Sequence, residues 1–306
     1  MKKVFKVLYS LMTTAVLCNT SAEAATSVQF GVGYRSDDIK WRISAPESIQ
    51  PDSYSKLNFR DVEIFLVEGK VKGMLGDCVY LRATADYGWI EDGTLREKDQ
   101  LSQNVADLPP GSAAEYTIVT PSVHNDIDDK YVYDFSAGIG YPIHLDCEEF
   151  SFTPMLGFSY NTARISVQNR HLIADELSAA QQVTYEVDPA SDENHSKYRQ
   201  TFWGPWIGFD FAYMCQDCWS AYGEFEFHWA RARFERNSNV GFEAWDNFER
   251  SRNAHGFKIV LGGTYSFCCD WFLDGHIGWQ DWRSSKCGGN FKWQSFDIGL
   301  DVGYMF

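Results

Sequence analysis

Along most of the chain apolar and polar residues alternate with a period of two, the spacing of a strand that shows each face to a different environment. The clearest run closes the chain: Phe296, Ile298, Leu300, Val302, Tyr304 and Phe306 take the even positions, and Asp297, Gly299, Asp301, Gly303 and Met305 the odd ones. A first strand is expected over residues 27–43, with Val28, Phe30, Val32 and Tyr34 opposite Gln29, Gly31, Gly33 and Arg35. A polar loop after Ala45-Pro46 separates it from a second strand that resumes near Lys56, where Phe65, Val67, Val71 and Leu75 oppose Glu68, Lys70 and Lys72. Beyond the Gly76-Asp77-Cys78 turn, Val79, Leu81, Ala83, Ala85, Tyr87 and Trp89 oppose Tyr80, Arg82, Thr84 and Asp86, and this third strand is predicted to end at Glu91-Asp92-Gly93. From Thr94 to Asp129 the period is lost, and Pro109-Pro110-Gly111 with the Asn125 to Asp129 cluster predicts a long exposed loop.

Seven more segments complete the pattern. Tyr133, Phe135, Ala137, Ile139 and Tyr141 form one apolar face, opposite Asp134, Ser136, Gly138 and Gly140, and run to the tight turn Leu145-Asp146-Cys147. Phe150 to Asn161 follows, with a polar loop over roughly 170–197 behind it. Thr201 to Cys215 carries Ile207, Phe209, Phe211 and Tyr213 on one face and Asp210 on the other, and turns at Cys215-Gln216-Asp217-Cys218. Phe225, Phe227 and Trp229 then oppose Glu224, Glu226 and His228, before a loop near 237–254. Phe257, Ile259, Leu261, Tyr265 and Phe267 lead to Cys268-Cys269-Asp270, with Lys258 on the other face. Leu273, Ile277 and Trp279 oppose Asp274 and His276, and a short loop containing Cys287 precedes the last strand. Ten strands joined by alternately short and long connections predict an all-β fold, an antiparallel up-and-down transmembrane barrel. The short turns are then expected in the periplasm and the long loops outside.

Composition agrees with a barrel. Aromatic residues make up 16% of the chain although its mean hydropathy is -0.34, as expected where lipid-facing and lumen-facing residues alternate. No mature segment approaches the roughly 18 apolar residues that a membrane helix needs. Met1-Lys2-Lys3, the apolar stretch from Val7 to Leu17 and Ala22-Glu23-Ala24 have the form of a cleaved signal peptide, so residues 1–24 are expected to be removed and residues 25–306 to form one barrel domain. Removing Lys2, Lys3, Lys6 and Glu23 takes the formal charge from -15 to -17, which argues against nucleic acid as a partner. The chain stops on an aromatic residue without a polar tail; Tyr304 and Phe306 resemble the C-terminal signal read by the barrel insertion machinery, which becomes an expected partner alongside outer-membrane lipid and lipopolysaccharide.

The inward faces collect Arg35, Glu68, Lys70, Lys72, Arg82, Asp86, Asp134, Asp210, Glu224, Glu226, His228, Lys258, Asp274, His276, Asp297 and Asp301, a mixed set with an acidic excess. A wall of mutually satisfied ion pairs and a polar conduit are both compatible with it. A barrel of about eight strands is filled by side chains and wide channels need about 16 to 18, so a narrow or partly plugged pore is expected. Glu226-x-His228 and Asp274-x-His276 lack zinc-motif spacing, and the Asn125 to Asp129 cluster lacks the Gly and Glu of a calcium loop. No metal and no cofactor are expected. Six cysteines, Cys78, Cys147, Cys215, Cys218, Cys268 and Cys269, fall at predicted periplasmic turns, while Cys287 lies on the opposite side. In an oxidising compartment the six read as disulfide candidates, within the chain or between chains.

Residues then carry a resemblance. Gly33-Tyr34-Arg35-Ser36-Asp37-Asp38-Ile39-Lys40-Trp41, Tyr87-Gly88-Trp89-Ile90-Glu91-Asp92-Gly93 and Trp203-Gly204-Pro205-Trp206-Ile207-Gly208 are similar to the Protochlamydia outer membrane protein family over most of the mature chain. That resemblance implies a porin-like envelope protein, and it brings in the cysteine cross-linked outer membranes of Chlamydia-like bacteria, with disulfide-linked envelope proteins as partners. More remotely, the strand order resembles the omptins, ten-stranded outer-membrane proteases understood to activate water between an Asp-Asp and an Asp-His pair. Here Arg231 to Ser238 contains no Asp-x-His, Glu226-Phe227-His228 has the spacing but lies about mid-strand, and only Glu91-Asp92 and Asp99 stand on the opposite wall. The expected function is a non-enzymatic envelope barrel with narrow porin activity and a cross-linked periplasmic rim, the alternative an omptin-type surface endopeptidase.

Overall fold

The computed structural model describes residues 26–44, 54–76, 78–103, 116–119, 123–144, 149–168, 195–216, 218–237, 247–267, 270–284 and 290–306. The predicted signal peptide, most of the long outer loops, and Cys147, Cys268, Cys269 and Cys287 lie outside them. The strands are β1 (Thr26–Ser44), β2 (Tyr54–Leu75), β3 (Val79–Gln103), β4 (Tyr116–Val119), β5 (Val123–Gly140), β6 (Ile143–His144), β7 (Phe150–Gln168), β8 (His195–Gln216), β9 (Trp219–Asn237), β10 (Asn247–Ser266), β11 (Trp271–Ser284) and β12 (Phe291–Met305). β4 and β6 are short pieces paired to β3 and β7. The ten long strands pair antiparallel with their neighbours, and β12 returns to β1 to close the barrel. Closure removes the open edges that backbone in lipid could not satisfy.

The lower part of the wall follows the alternation. On β12, Phe296, Ile298, Leu300 and Val302 are all about half exposed, while Asp301 is buried. The ten steps from Phe296 to Phe306 rise about 33 Å along the strand, or about 25 Å along the axis of a barrel whose strands tilt by about 40°. That is the thickness of the apolar band of an outer-membrane barrel. Aromatic residues mark both limits: Tyr213, Trp219, Tyr265, Trp271 and Phe306 at the turn end, and Tyr34, Phe65, Trp89, Trp229, Trp279 and Phe296 at the other, all exposed. The β2–β3 turn is made tight by Gly76 at φ 62°, a conformation that a side chain would oppose.

Above the upper aromatic ring the two faces exchange character. On β1 the outward positions change from Val32 and Tyr34 to Asp38, Lys40 and Arg42, and the inward ones from Arg35 and Asp37 to Ile39, Trp41 and Ile43. β9 does the same, with Arg231 and Arg233 outside and Ala230, Ala232 and Phe234 inside. The strands therefore continue out of the membrane as a barrel built like a water-soluble one, polar outside and apolar within.

This extension corrects two expectations. Residues 94–103 and 123–129 are strand, continuous with β3 and β5, rather than part of an exposed loop, and β10 starts at Asn247 inside the loop expected to reach 254. The wall kinks where the parity of the inward positions changes. On β2 the buried side switches from Leu57 and Phe59 to Val62 and Ile64 across a register shift between Arg60 and Glu63, where Asp61 adopts φ 50°. On β3 it switches from Ile90 to Leu95 beside Gly93, at φ 155°. An extra residue in a bulge turns each strand so that its apolar side stays inside.

Candidate functional site: a filled lumen

Every inward charge expected from the sequence lies in the lower half of the lumen, and most are paired. Arg82, almost wholly buried, forks between Asp210 and Glu226 and also meets Glu224 at 3.1 Å. Glu224 is further held by Lys72 at 2.8 Å and Lys70 at 3.3 Å, and Tyr80 donates its hydroxyl to Asp210 at 3.1 Å. Arg35 chelates Asp37 through Nε and Nη2, both at 2.8 Å, and reaches across to Asp134 with Nη1. Asp37 was absent from the inward set inferred from the sequence. Tyr222 and Thr264 donate to Asp274 at 2.8 and 3.1 Å, while His276 lies 3.3 Å from Asp301 and 3.5 Å from Glu68. Asp86, Lys258 and Asp297 line the small chamber that remains between these groups, about 40 Å³ in volume. A space of that size takes one or a few waters.

Indole and phenyl rings close the lumen above the charges. Arg35 lies 5.3 Å from the Trp293 ring and Arg82 5.3 Å from Trp206, so the cations of the lower layer support the aromatic faces of the upper one. Trp206, Trp282 and Trp293 are each at most 1% exposed. Phe202 packs between Trp282, Phe291 and Trp293 at 5.0, 5.2 and 5.6 Å, and Phe234 meets Phe291 at 4.5 Å. Trp41, Phe59 and Tyr198 continue the cluster. A cavity of about 30 Å³ lies at the edge of this layer, between Trp41, Phe234 and Phe291 and the polar Arg42, Arg250 and Arg252.

His228 stands at the junction. Its Nε2 is 3.1 Å from Glu226, its Nδ1 is 3.0 Å from the Ser159 hydroxyl, and Trp282 covers it at 4.7 Å. The residue is 1% exposed. The Glu226-x-His228 spacing thus does form a carboxylate–imidazole pair, buried beneath the aromatic layer. Asp92, by contrast, lies exposed on the outside of the wall, where it accepts a hydrogen bond from the Gly93 amide at 2.7 Å.

At the turn end Cys78 and Cys218 are free, exposed thiols. Cys215 lies in β8, its side chain outside the described part of the structure, as are Cys147, Cys268 and Cys269. The amide of Phe306 donates to Thr26 at 2.8 Å and that of Met305 to Asp270 at 2.7 Å, so the terminal residues are tied into the wall at this rim.

The sequence model of the Protochlamydia outer membrane protein family matches residues 29–306. The chain belongs to that family. Its fold is shared with the outer membrane protease OmpT of Escherichia coli, at TM-score 0.63 and 13% identity over 94% of this chain and 99% of that one. The outer membrane protein OprG of Pseudomonas aeruginosa is matched at TM-score 0.40 and 10% identity, over 92% and 96% of the two chains. No curated protein sequence matches the chain. This member of the family is therefore an outer-membrane β-barrel, and its likeness to OmpT is one of fold.

Proposed function

We propose that the protein is a structural component of the outer membrane, a barrel closed to solutes and without peptidase activity, anchored to its surroundings through the thiols of its periplasmic rim. The observation that carries this reading is the two-layer filling of the lumen. A solute would have to pass a charged layer that leaves a chamber of about 40 Å³ among its side chains and then an aromatic layer, and no loop displacement opens either, because both are built from the wall strands. The same filling speaks against porin-like conduction. It also speaks against omptin-type proteolysis, since a peptide bond cannot reach His228 beneath Trp282, and Asp92 points away from it.

The outer surface supports a role among envelope lipids. Beside the upper aromatic ring, an open groove of about 760 Å³ is lined by Lys130, Arg164, Lys197, Arg199, Arg233 and Arg236 on an otherwise acidic protein, with Glu235 and Glu249 pairing Arg199 and Arg233. It suits the phosphates of lipopolysaccharide. At the opposite end, clustered cysteines suit cross-linking to neighbouring envelope proteins. Liposome swelling with small sugars and cleavage of a peptide library in lipopolysaccharide-containing vesicles test the proposal together. Neither activity is expected; sugar entry would restore the porin reading, and turnover lost in Glu226→Gln would restore the protease.

A further inference from the structure

The lower lumen carries more buried negative charge than its lysines and arginines neutralise. With Asp37, ten carboxylates face five such cations, Arg35, Lys70, Lys72, Arg82 and Lys258, and the surplus is concentrated in one place. Arg35 is engaged by Asp37 and Asp134, and Lys70, Lys72 and Arg82 by Asp210, Glu224 and Glu226. Among the described residues no Lys or Arg comes within ion-pair distance of Glu68, Asp274, Asp297 or Asp301. These four surround His276, at 3.5, 3.7, 3.9 and 3.3 Å, and Lys258, the remaining cation, lines the same chamber beyond ion-pair distance of them. Burying that many carboxylates around a single imidazole is unfavourable unless a further cation is present.

The wall is shaped for this cluster. Gly33 and Gly299 leave the inner surface bare where Glu68 and His276 lie: a Cβ at Gly33 would stand 2.6 Å from Glu68 Oε1, and one at Gly299 2.3 Å from His276 Cε1 and 2.6 Å from Glu68 Oε2. A Cβ at Gly31 would strike Asp301 at 1.9 Å. One ligand atom each from Glu68, His276 and Asp301 lie within 4.8 Å of one another. The ligand atoms of a tetrahedral zinc are roughly 3.3 Å apart, given bonds of about 2.0–2.1 Å, so modest convergence of these atoms would suffice. Glu68 is more than nine-tenths buried, yet its Oε2 accepts no hydrogen bond, and it borders the 40 Å³ chamber together with His276 and Asp301. Asp274, fixed by Tyr222 and Thr264, shares the Nδ1 side of His276 with Asp301, at 3.7 and 3.3 Å, while Glu68 and Asp297 lie on its Nε2 side, at 3.5 and 3.9 Å.

We propose that Glu68, His276 and Asp301 form a binding site for a divalent transition-metal ion within the lumen. One imidazole nitrogen with two carboxylate oxygens is a donor set of Zn²⁺, and Co²⁺ takes the same sites. The ion would join β2, β11 and β12 across the glycine-lined face of β1, and so staple the closing seam of the barrel from within.

The full-length mature barrel, refolded with Zn²⁺ and then dialysed against metal-free buffer, should retain about one zinc per chain by mass spectrometry of the metal. Refolding with Co²⁺ should give visible absorption of a low-coordinate cobalt site, and chelation during unfolding should lower the midpoint. His276→Gln and Glu68→Gln should each reduce retained zinc by about tenfold or more, whereas Glu226→Gln, in the neighbouring ion-pair cluster, should retain it. Wild-type protein that keeps no zinc and gives no cobalt spectrum overturns the site, leaving His276 as a buried imidazolium. Zinc retained at full occupancy by a folded His276→Gln barrel also overturns it. Where a variant fails to fold, the wild-type cobalt spectrum decides.

Discussion

Replacing Phe202 by Ala tests whether the barrel holds a true apolar core above the membrane. Phe202 is wholly buried on β8, and four rings, Phe234, Trp282, Phe291 and Trp293, lie within 6 Å of it. Truncation removes roughly 120 Å² of buried apolar surface, worth about 3 kcal/mol at about 25 cal/mol per Å². The cavity left among rigid indoles adds to this, for a total of about 3–5 kcal/mol. Ile207→Ala provides the contrast on the same strand, because Ile207 is 51% exposed on the lipid side, where acyl chains fill the space of the lost methyl groups. It should cost less than about 1 kcal/mol. Reversible urea unfolding of barrels refolded into bilayers, followed by tryptophan fluorescence, gives both values. Equal destabilisation by the two substitutions, or a Phe202→Ala barrel as stable as the wild type, would refute the exchange of faces above the aromatic ring.

Three other outcomes follow from the same geometry. Phe225→Asp places a charge on the lipid face at a cost of a few kcal/mol near mid-depth, whereas Glu226→Gln keeps a polar group in a polar lumen, so heat-modifiable folded protein should be lost only in the first; equal loss would show the facing of β9 to be wrong. Arg82→Gln leaves Asp210, Glu224 and Glu226 without their shared cation and should destabilise by about 3–5 kcal/mol in the same unfolding assay, and an unchanged midpoint would remove Arg82 from its central position. Non-reducing gels of intact envelopes should show high-mass species that collapse with reductant, and a membrane-impermeant maleimide applied to whole cells should label Cys287 alone; labelling of Cys78 or Cys218 from outside would invert the topology.

The lipid-facing half of the barrel was legible because a single rule governs it. Where lipid lies outside and charge inside, alternation names both faces, and Arg35, Glu224, Glu226, Asp274 and Asp301 could be placed on the lumen side from parity alone. The upper half obeys the opposite rule. Ile39, Trp41 and Ile43 hold the same parity as Arg35 and fall within the strand expected over residues 27–43, yet their alternation with Asp38, Lys40 and Arg42 does not say by itself that lipid has given way to water outside. Bulges at Asp61 and Gly93 add a second obstacle, because one extra residue shifts the phase and makes a continuous strand read as two broken ones. The grouping of Glu68 with His276 and Asp301 was hidden for another reason: β2 becomes a neighbour of β12 across β1 only once the barrel closes, and local spacing shows only Asp274-x-His276.

Planar-bilayer recording of the refolded mature protein tests the filled lumen most directly. With Arg82 and its carboxylates across the lower half and Trp206, Trp282 and Trp293 above them, the trace should remain at the bilayer baseline in molar salt, for wild type and for Glu226→Gln alike. Discrete, reproducible conductance steps from the wild-type barrel would contradict the account, since ions would then have found a path that the described side chains close.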